Sequence, residues 1–197
     1  MNYFPVNLDL RNRPVLVVGA GRIALRKTQQ LLACGAEVVV VAPEALDEFA
    51  GLPVTLELRE FIPSDLDDCW LVVTATGVQP VDQAVFDEGE KRRVWVNSAD
   101  DPDRCSFILP AVVRRGSLMM TTSTSGASPA LSSFLRSRLG QCFGDGWADV
   151  VDDLATARAE VHARGESTED VDWEPIIRST LERRGLRVPC VVEGLDS

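Results

Sequence analysis

Three stretches of this 197-residue chain carry residue types at spacings that could do chemistry. The first is Gly19-Ala20-Gly21-Arg22-Ile23-Ala24, directly after the apolar run Val15 to Val18. Gly19 can take a tight turn, Gly21 has no Cβ to hold off a pyrophosphate, and the small Ala24 lets a helix pack close to the strand. A helix starting there aims its N–H groups at the phosphates. The second stretch is the polar strand end Asn97-Ser98-Ala99-Asp100. A carboxylate such as Asp100 beside a hydride acceptor could take a proton or orient a substrate ring. The third is the hydroxyl-rich run Thr121 to Ser128, followed on the same predicted helix by Arg136 and Arg138. Hydroxyls at a helix start beside arginines suit an oxyanion ligand.

The surrounding pattern supplies elements to hold these groups. After the glycines, Leu25, Leu31 and Leu32 continue at helical spacing, and Val38 to Val41 forms a second apolar run, so residues 14–43 read as a βαβ nucleotide-binding unit. At this level a glycine turn that binds nothing stays open. The acidic residue that would hold the adenosine ribose should close the second strand, yet Val41 and Ala42 stand there and Glu44 lies beyond; with no Lys or Arg to meet a 2′-phosphate, NAD is favoured over NADP. A short helix is expected over residues 44–49, a strand over 54–58 and a polar helical turn over 64–68. Trp70 to Val73 reads as a buried parallel strand with Thr76 just past its carboxyl end. A helix over 81–92, a strand over 94–96 and a strand over 118–120 follow. Ser128 and Pro129 make a good helix start. Beyond Gly144-Asp145-Gly146, helices are expected over 147–163 and 173–184. Residues 2–12 alternate as a strand or extended arm would, and the tail from Gly185 is undecided.

Composition narrows the function classes. The chain is 45% hydrophobic and 25% charged, with no apolar run near the roughly 20 residues of a membrane span. Residues 1–5 show no basic stretch leading into an apolar one, so a cytoplasmic protein is expected. Five scattered cysteines without a C-x-x-C pair argue against a disulfide framework and a structural zinc site. A net charge of −10 disfavours nucleic acid and anionic membrane as partners. The charge is uneven: residues 101–143 hold 5 basic and 2 acidic side chains, while both flanks are acidic. An anionic ligand is expected at that basic island. His162, the single histidine, falls within an amphipathic helix far from these motifs and reads as a surface residue.

Taken in order, Gly19-x-Gly21-x-x-Ala24-x-Arg26-Lys27, Val41-Ala42-Pro43, the Asn97 to Asp100 strand end, Phe107-Ile108-Leu109-Pro110-Ala111 and Ser125-Gly126-Ala127-Ser128-Pro129 resemble the precorrin-2 dehydrogenase family, the module forming the N-terminal half of siroheme synthase. The resemblance covers about Phe4 to Leu139. It implies an α/β fold with an NAD-binding Rossmann domain at 1–108, a dimerisation and substrate segment at 109–144 and a small helical domain at 145–197. It implies NAD-dependent oxidation of precorrin-2 to sirohydrochlorin by a homodimer, with precorrin-2 made elsewhere because the methyltransferase half lies outside the resemblance. Asp100 matches the family's important aspartate. Gly19, Gly21, Arg22, Ile23, Ala24, Pro43, Thr76 and Asn97 are the expected cofactor residues. Ser123, Thr124, Ser125, Ser128, Arg114 and Arg136 are the expected substrate residues, with Arg104, Arg115 and Arg138 as further cations for a substrate with eight carboxylates. No metal cage is expected. Two alternatives stand beside this reading: a bifunctional enzyme that also inserts ferrous iron into sirohydrochlorin, and a non-catalytic NAD-sensing module. One departure is Thr76-Gly77-Val78, where relatives usually place acidic or amide residues after the threonine.

Overall fold

A computed structural model describes residues 3–99 and 101–188. The chain divides into two compact units, Met1–Leu109 and Pro110–Ser197. In the first, β1 (Pro14–Val18), α1 (Arg22–Leu32), β2 (Glu37–Ala42), β3 (Thr55–Leu58), β4 (Leu71–Thr74), α2 (Gln79–Arg92) and β5 (Trp95–Ser98) follow in turn. Their strands form one parallel sheet of order β3-β2-β1-β4-β5. The order reverses between β1 and β4, and in a parallel α/β sheet ligands bind outside the carboxyl ends of the strands at such a switch point.

Period-two alternation splits the valine-rich strands between two cores. Val15, Val17, Val38, Val40, Leu71 and Val73 share one face with Ala24 of α1, and Leu25, Leu31 and Leu32 pack onto it. Leu16, Val18, Val41, Val72 and Val96 share the other face with Val85 of α2. Burying both faces is what near-continuous apolar strands require. On α2, a Cβ at Gly89 would lie 2.3 Å from Val96 Cγ2, so the absent side chain sets how closely helix and sheet approach.

Several expectations shift. Residues 3–10 form no strand; Phe4, Val6 and Leu8 are exposed and only Leu10 is buried. The turn after β2 is a 3-10 turn over Asp47–Gly51, and the β3–β4 crossover contains a 3-10 turn over Pro63–Leu66. Asp65 fastens that crossover: its carboxylate accepts from both terminal nitrogens of Arg59 (2.8 and 2.7 Å) and from the Ile62 N–H (2.9 Å).

The second unit opens with an antiparallel hairpin, β6 (Ala111–Arg115) and β7 (Leu118–Thr122). It continues with α3 (Pro129–Cys142), α4 (Trp147–Ala163) and α5 (Trp173–Arg183). The first strand of the hairpin was not foreseen. Val113 and Arg115 of β6 face α3, whose Gly140 would place a Cβ within 3.9 Å of both, and Arg115 donates to the Gly140 carbonyl (3.0 Å). Arg184 ties α5 to α4 through Asp153 and Asp149 (2.7 and 3.3 Å). His162 is exposed, and among the described residues no helix is long and apolar enough to cross a membrane.

Candidate functional site

The glycine turn leaves β1 at the switch point. Gly19 has φ +104°, a backbone state that side chains rarely adopt, and a Cβ there would sit 2.6 Å from the Ala75 carbonyl oxygen. The turn is therefore pressed against the chain leaving β4. It is also stitched on both sides: Gly19 N–H donates to Val41 O and Ala75 N–H to Val18 O, each at 2.8 Å. Gly21 is the N-cap of α1, is exposed, and would meet nothing within 4 Å if it carried a Cβ. The first intrahelical bond runs from Leu25 N–H to Gly21 O (2.9 Å), so the N–H groups of Arg22, Ile23 and Ala24 precede the helical ladder. No side chain caps them and no acidic residue stands in the first turn. An open glycine beside an uncapped helix N-terminus fits the pyrophosphate of a dinucleotide. Pro43, exposed, follows the end of β2, with exposed Glu44 next to it. The residues present thus fit a nicotinamide dinucleotide.

Across the switch point a residue missed by the sequence reading organises the β4 exit. Asp82, in the first turn of α2, accepts from the buried Thr74 hydroxyl, from the Thr76 hydroxyl at 2.8 Å and from the Thr76 N–H at 3.4 Å, all on Oδ1. The Thr76 hydroxyl in turn accepts from Val78 N–H at 2.9 Å. Helix α2 begins at Gln79, with Pro80 and Asp82 in its first turn, where acidic residues are favoured.

At the end of β5, Asn97 is buried and its amide donates to the Phe107 carbonyl (3.0 Å). Cys105 sits under the same turn. Its sulfur accepts from Ser98 N–H (3.3 Å) and lies within donating distance of the Ser98 and Asp101 carbonyls (3.3 and 3.2 Å). Burial pushes the Cys105 thiol pKa above its ordinary value. Arg104 pairs with Asp101 and donates to Gln83 Oε1 (2.7 Å), so this cation of the basic island serves the loop itself. Ala99 N–H donates to Thr74 O (2.8 Å). Asp100 lies outside the described residues; its neighbours 99 and 101 are both tied to this framework. Neither the Asn97 nor the Cys105 contacts are visible in sequence, because their partners lie four to ten residues away with no pattern linking them.

In the second unit the β7–α3 loop gathers the predicted hydroxyls. Ser128 caps α3 by accepting from Leu131 N–H (3.2 Å). Thr124 accepts from Ser128 N–H (2.9 Å) and shares a hydrogen bond with Ser132 (3.3 Å). Ser123 accepts from Ser125 N–H (3.2 Å), and Ser125 adopts φ +54°. These bonds shape the loop. Arg114 and Arg136 are exposed and form no ion pair among the described residues, whereas Arg115 pairs with Asp145 (3.1 Å). Arg114 alternates with Val113 and Arg115 along β6, which puts it on the face away from α3. Among the described residues no group of three or more His, Cys, Asp or Glu side chains is arranged to hold a metal ion.

Comparison with known proteins agrees with this geometry. Residues 6–111 match a family described as "Putative NAD(P)-binding". The chain is 38% identical over 168 residues to siroheme synthase 3 of Aeromonas hydrophila, covering 83% of this chain and 36% of that protein. It is 33% identical over 190 residues to the siroheme synthase of Nitrosococcus oceani, covering 93% of this chain and 41% of that protein. The chain therefore spans less than half the length of these relatives. Among solved structures it superposes on SirC, a precorrin-2 dehydrogenase, with a TM-score of 0.74 and 27% identity, over 93% of this chain and 99% of that one. With its glycine turn at the switch point of a matching fold, the chain belongs to the precorrin-2 dehydrogenase and siroheme synthase N-terminal family.

Proposed function

We propose that this protein oxidises precorrin-2 to sirohydrochlorin with NAD. The observation that carries the reading is the open, uncapped glycine turn at the switch point, in a chain that follows SirC over nearly its whole length. Gly19, Gly21, Arg22, Ile23 and Ala24 hold the pyrophosphate, and Thr76 and Asn97 line the side of the crevice formed by β4 and β5. The absence of a basic residue at Val41 to Glu44 supports NAD over NADP. The bound cofactor supplies a hydride acceptor. The substrate loses one hydride, two electrons with their proton, to the cofactor, and one further proton to a base.

Asp100 is that base. Its position between Ala99 and Asp101, both fastened at the carboxyl end of the sheet, supports the role. The Ser123 to Ser128 loop, with Arg114 and Arg136, receives the substrate carboxylates. Residues 109–144 also form the homodimer contact, for which the exposed Leu131, Phe134 and Leu135 on α3 supply an apolar stripe at helical spacing. Asp100→Asn tests the assignment: NADH binding is retained while turnover of precorrin-2 falls at least 100-fold. Unchanged turnover contradicts the assignment. Adding ferrous iron to the product, with and without protein, tests whether the same chain also inserts the metal.

A further inference from the structure

We infer that Asp82 is a positioning residue that turns the Thr76 hydroxyl into a hydrogen-bond acceptor aimed at the nicotinamide half of the cofactor. The inference rests on the dinucleotide reading of the glycine turn. A threonine hydroxyl has one proton and two lone pairs. The Thr76 proton points to the Asp82 carboxylate at 2.8 Å, in preference to the Val78 carbonyl at 3.3 Å, because charge-assisted bonds are shorter and stronger. One lone pair takes the Val78 N–H at 2.9 Å. One acceptor site is left, so a ligand meets Thr76 with a donor, a ribose hydroxyl or the carboxamide.

The sheet order decides which half of the ligand this is. Pyrophosphate sits at β1, the adenosine half extends over the end of β2, and the other half extends over β4 and β5. Asp82 holds both hydroxyls of the β4 exit, and Ala75, between them, packs against Gly19. The carboxylate therefore fixes the β4 exit in register with the phosphate turn. Its conservative replacement, asparagine, keeps an oxygen acceptor at the same place.

The test measures affinity by titration of NADH fluorescence and by calorimetry with ADP, which lacks both the nicotinamide and its ribose. Parent, Asp82→Asn, Asp82→Ala, Thr76→Val and the Asp82→Ala/Thr76→Val double variant are compared. Asp82→Ala and Thr76→Val are expected each to weaken NADH about 10-fold, about 1.4 kcal/mol. The double variant weakens it by about as much as either alone, since both remove one interaction. Asp82→Asn stays within about 3-fold of the parent, and ADP affinity changes less than 2-fold throughout. Equal losses of NADH and ADP, or fully additive losses, would overturn the inference while leaving the cofactor reading intact. If the parent binds neither ligand, both fall. 3-Acetylpyridine NADH serves as a further probe: a loss of the Thr76 effect with this analogue assigns the donor to the carboxamide, and its persistence assigns it to the ribose.

Discussion

Alanine at Gly19 and alanine at Gly21 have opposite consequences although the two glycines belong to one motif. At Gly19 the new methyl falls 2.6 Å from the Ala75 carbonyl oxygen and 2.8 Å from its carbon, and the residue must hold φ +104°. The backbone term alone costs about 1–3 kcal/mol. The obstructing atoms are main chain, held by the Ala75 N–H bond to Val18 O, so relief requires moving the β4 exit, at a further cost of about 1–3 kcal/mol. A total near 4 kcal/mol lowers the melting temperature by roughly 8–16 °C for a chain of this size. At Gly21 the backbone is extended at φ −84° and the methyl meets nothing, so the melting temperature stays within about 2 °C of the parent. Dinucleotide affinity, however, falls at least 10-fold, because the methyl occupies the approach of the pyrophosphate. Thermal melts without ligand, paired with NADH titrations, read both. A Gly21→Ala protein that binds NADH like the parent would refute the phosphate seat, and a Gly19→Ala protein of parental stability would refute the packing argument.

Other perturbations follow from the same structure. Gly89→Ala drives a methyl into Val96 Cγ2 and should cost about 2–3 kcal/mol, read as a lower denaturant midpoint with unchanged slope. Burial, reinforced by Asp65, Asp68 and Asp67, pushes the Cys69 thiol to about 11, so roughly one molecule in a thousand carries its thiolate at pH 8. Mass mapping after brief iodoacetamide treatment at that pH should therefore find exposed Cys142 labelled well before Cys69. The Arg59 guanidinium and the Ile62 N–H hold Asp65 below its ordinary value, outweighing the opposing effect of burial. A carboxyl depressed in the fold stabilises above its unfolded pKa and loses that contribution as pH falls through the folded value. Asp65→Asn should thus be less stable than the parent at pH 7, with the gap closing below about pH 4; a gap that widens in acid would contradict the sign.

The sequence was legible where one local pattern decides the structure. Valine runs bounded by glycine, and leucines at helical spacing, located β1, α1, β2 and β4 because burial on both sheet faces and on one helix face leaves those periods in the chain. Ser128 with Pro129 marked the start of α3 because a hydroxyl cap and a fixed φ act within one turn. Helix α4 emerged over Trp147–Ala163, as expected. Strand β6 was missed because Ala111 to Arg115 mixes apolar and basic residues, and the Gly116-Ser117 turn that pairs it with β7 was the signal available. At the site, the glycine turn was readable as a motif, whereas Asp82 and Cys105 act through partners four to eight residues away whose meeting depends on where β4 ends, where α2 begins and where β5 ends. Phe4, Val6 and Leu8 alternate as a strand would, yet pair with no strand among the described residues; alternation without a neighbouring sheet edge specifies nothing.

The most direct test of the central claim is the absorbance spectrum of the purified protein incubated anaerobically with precorrin-2 and NAD. The account predicts growth of the sirohydrochlorin spectrum together with one NADH per substrate oxidised, at a rate far above that of the protein-free mixture. NADH binding with no spectral change of the tetrapyrrole would contradict it and leave a nucleotide-sensing module in its place.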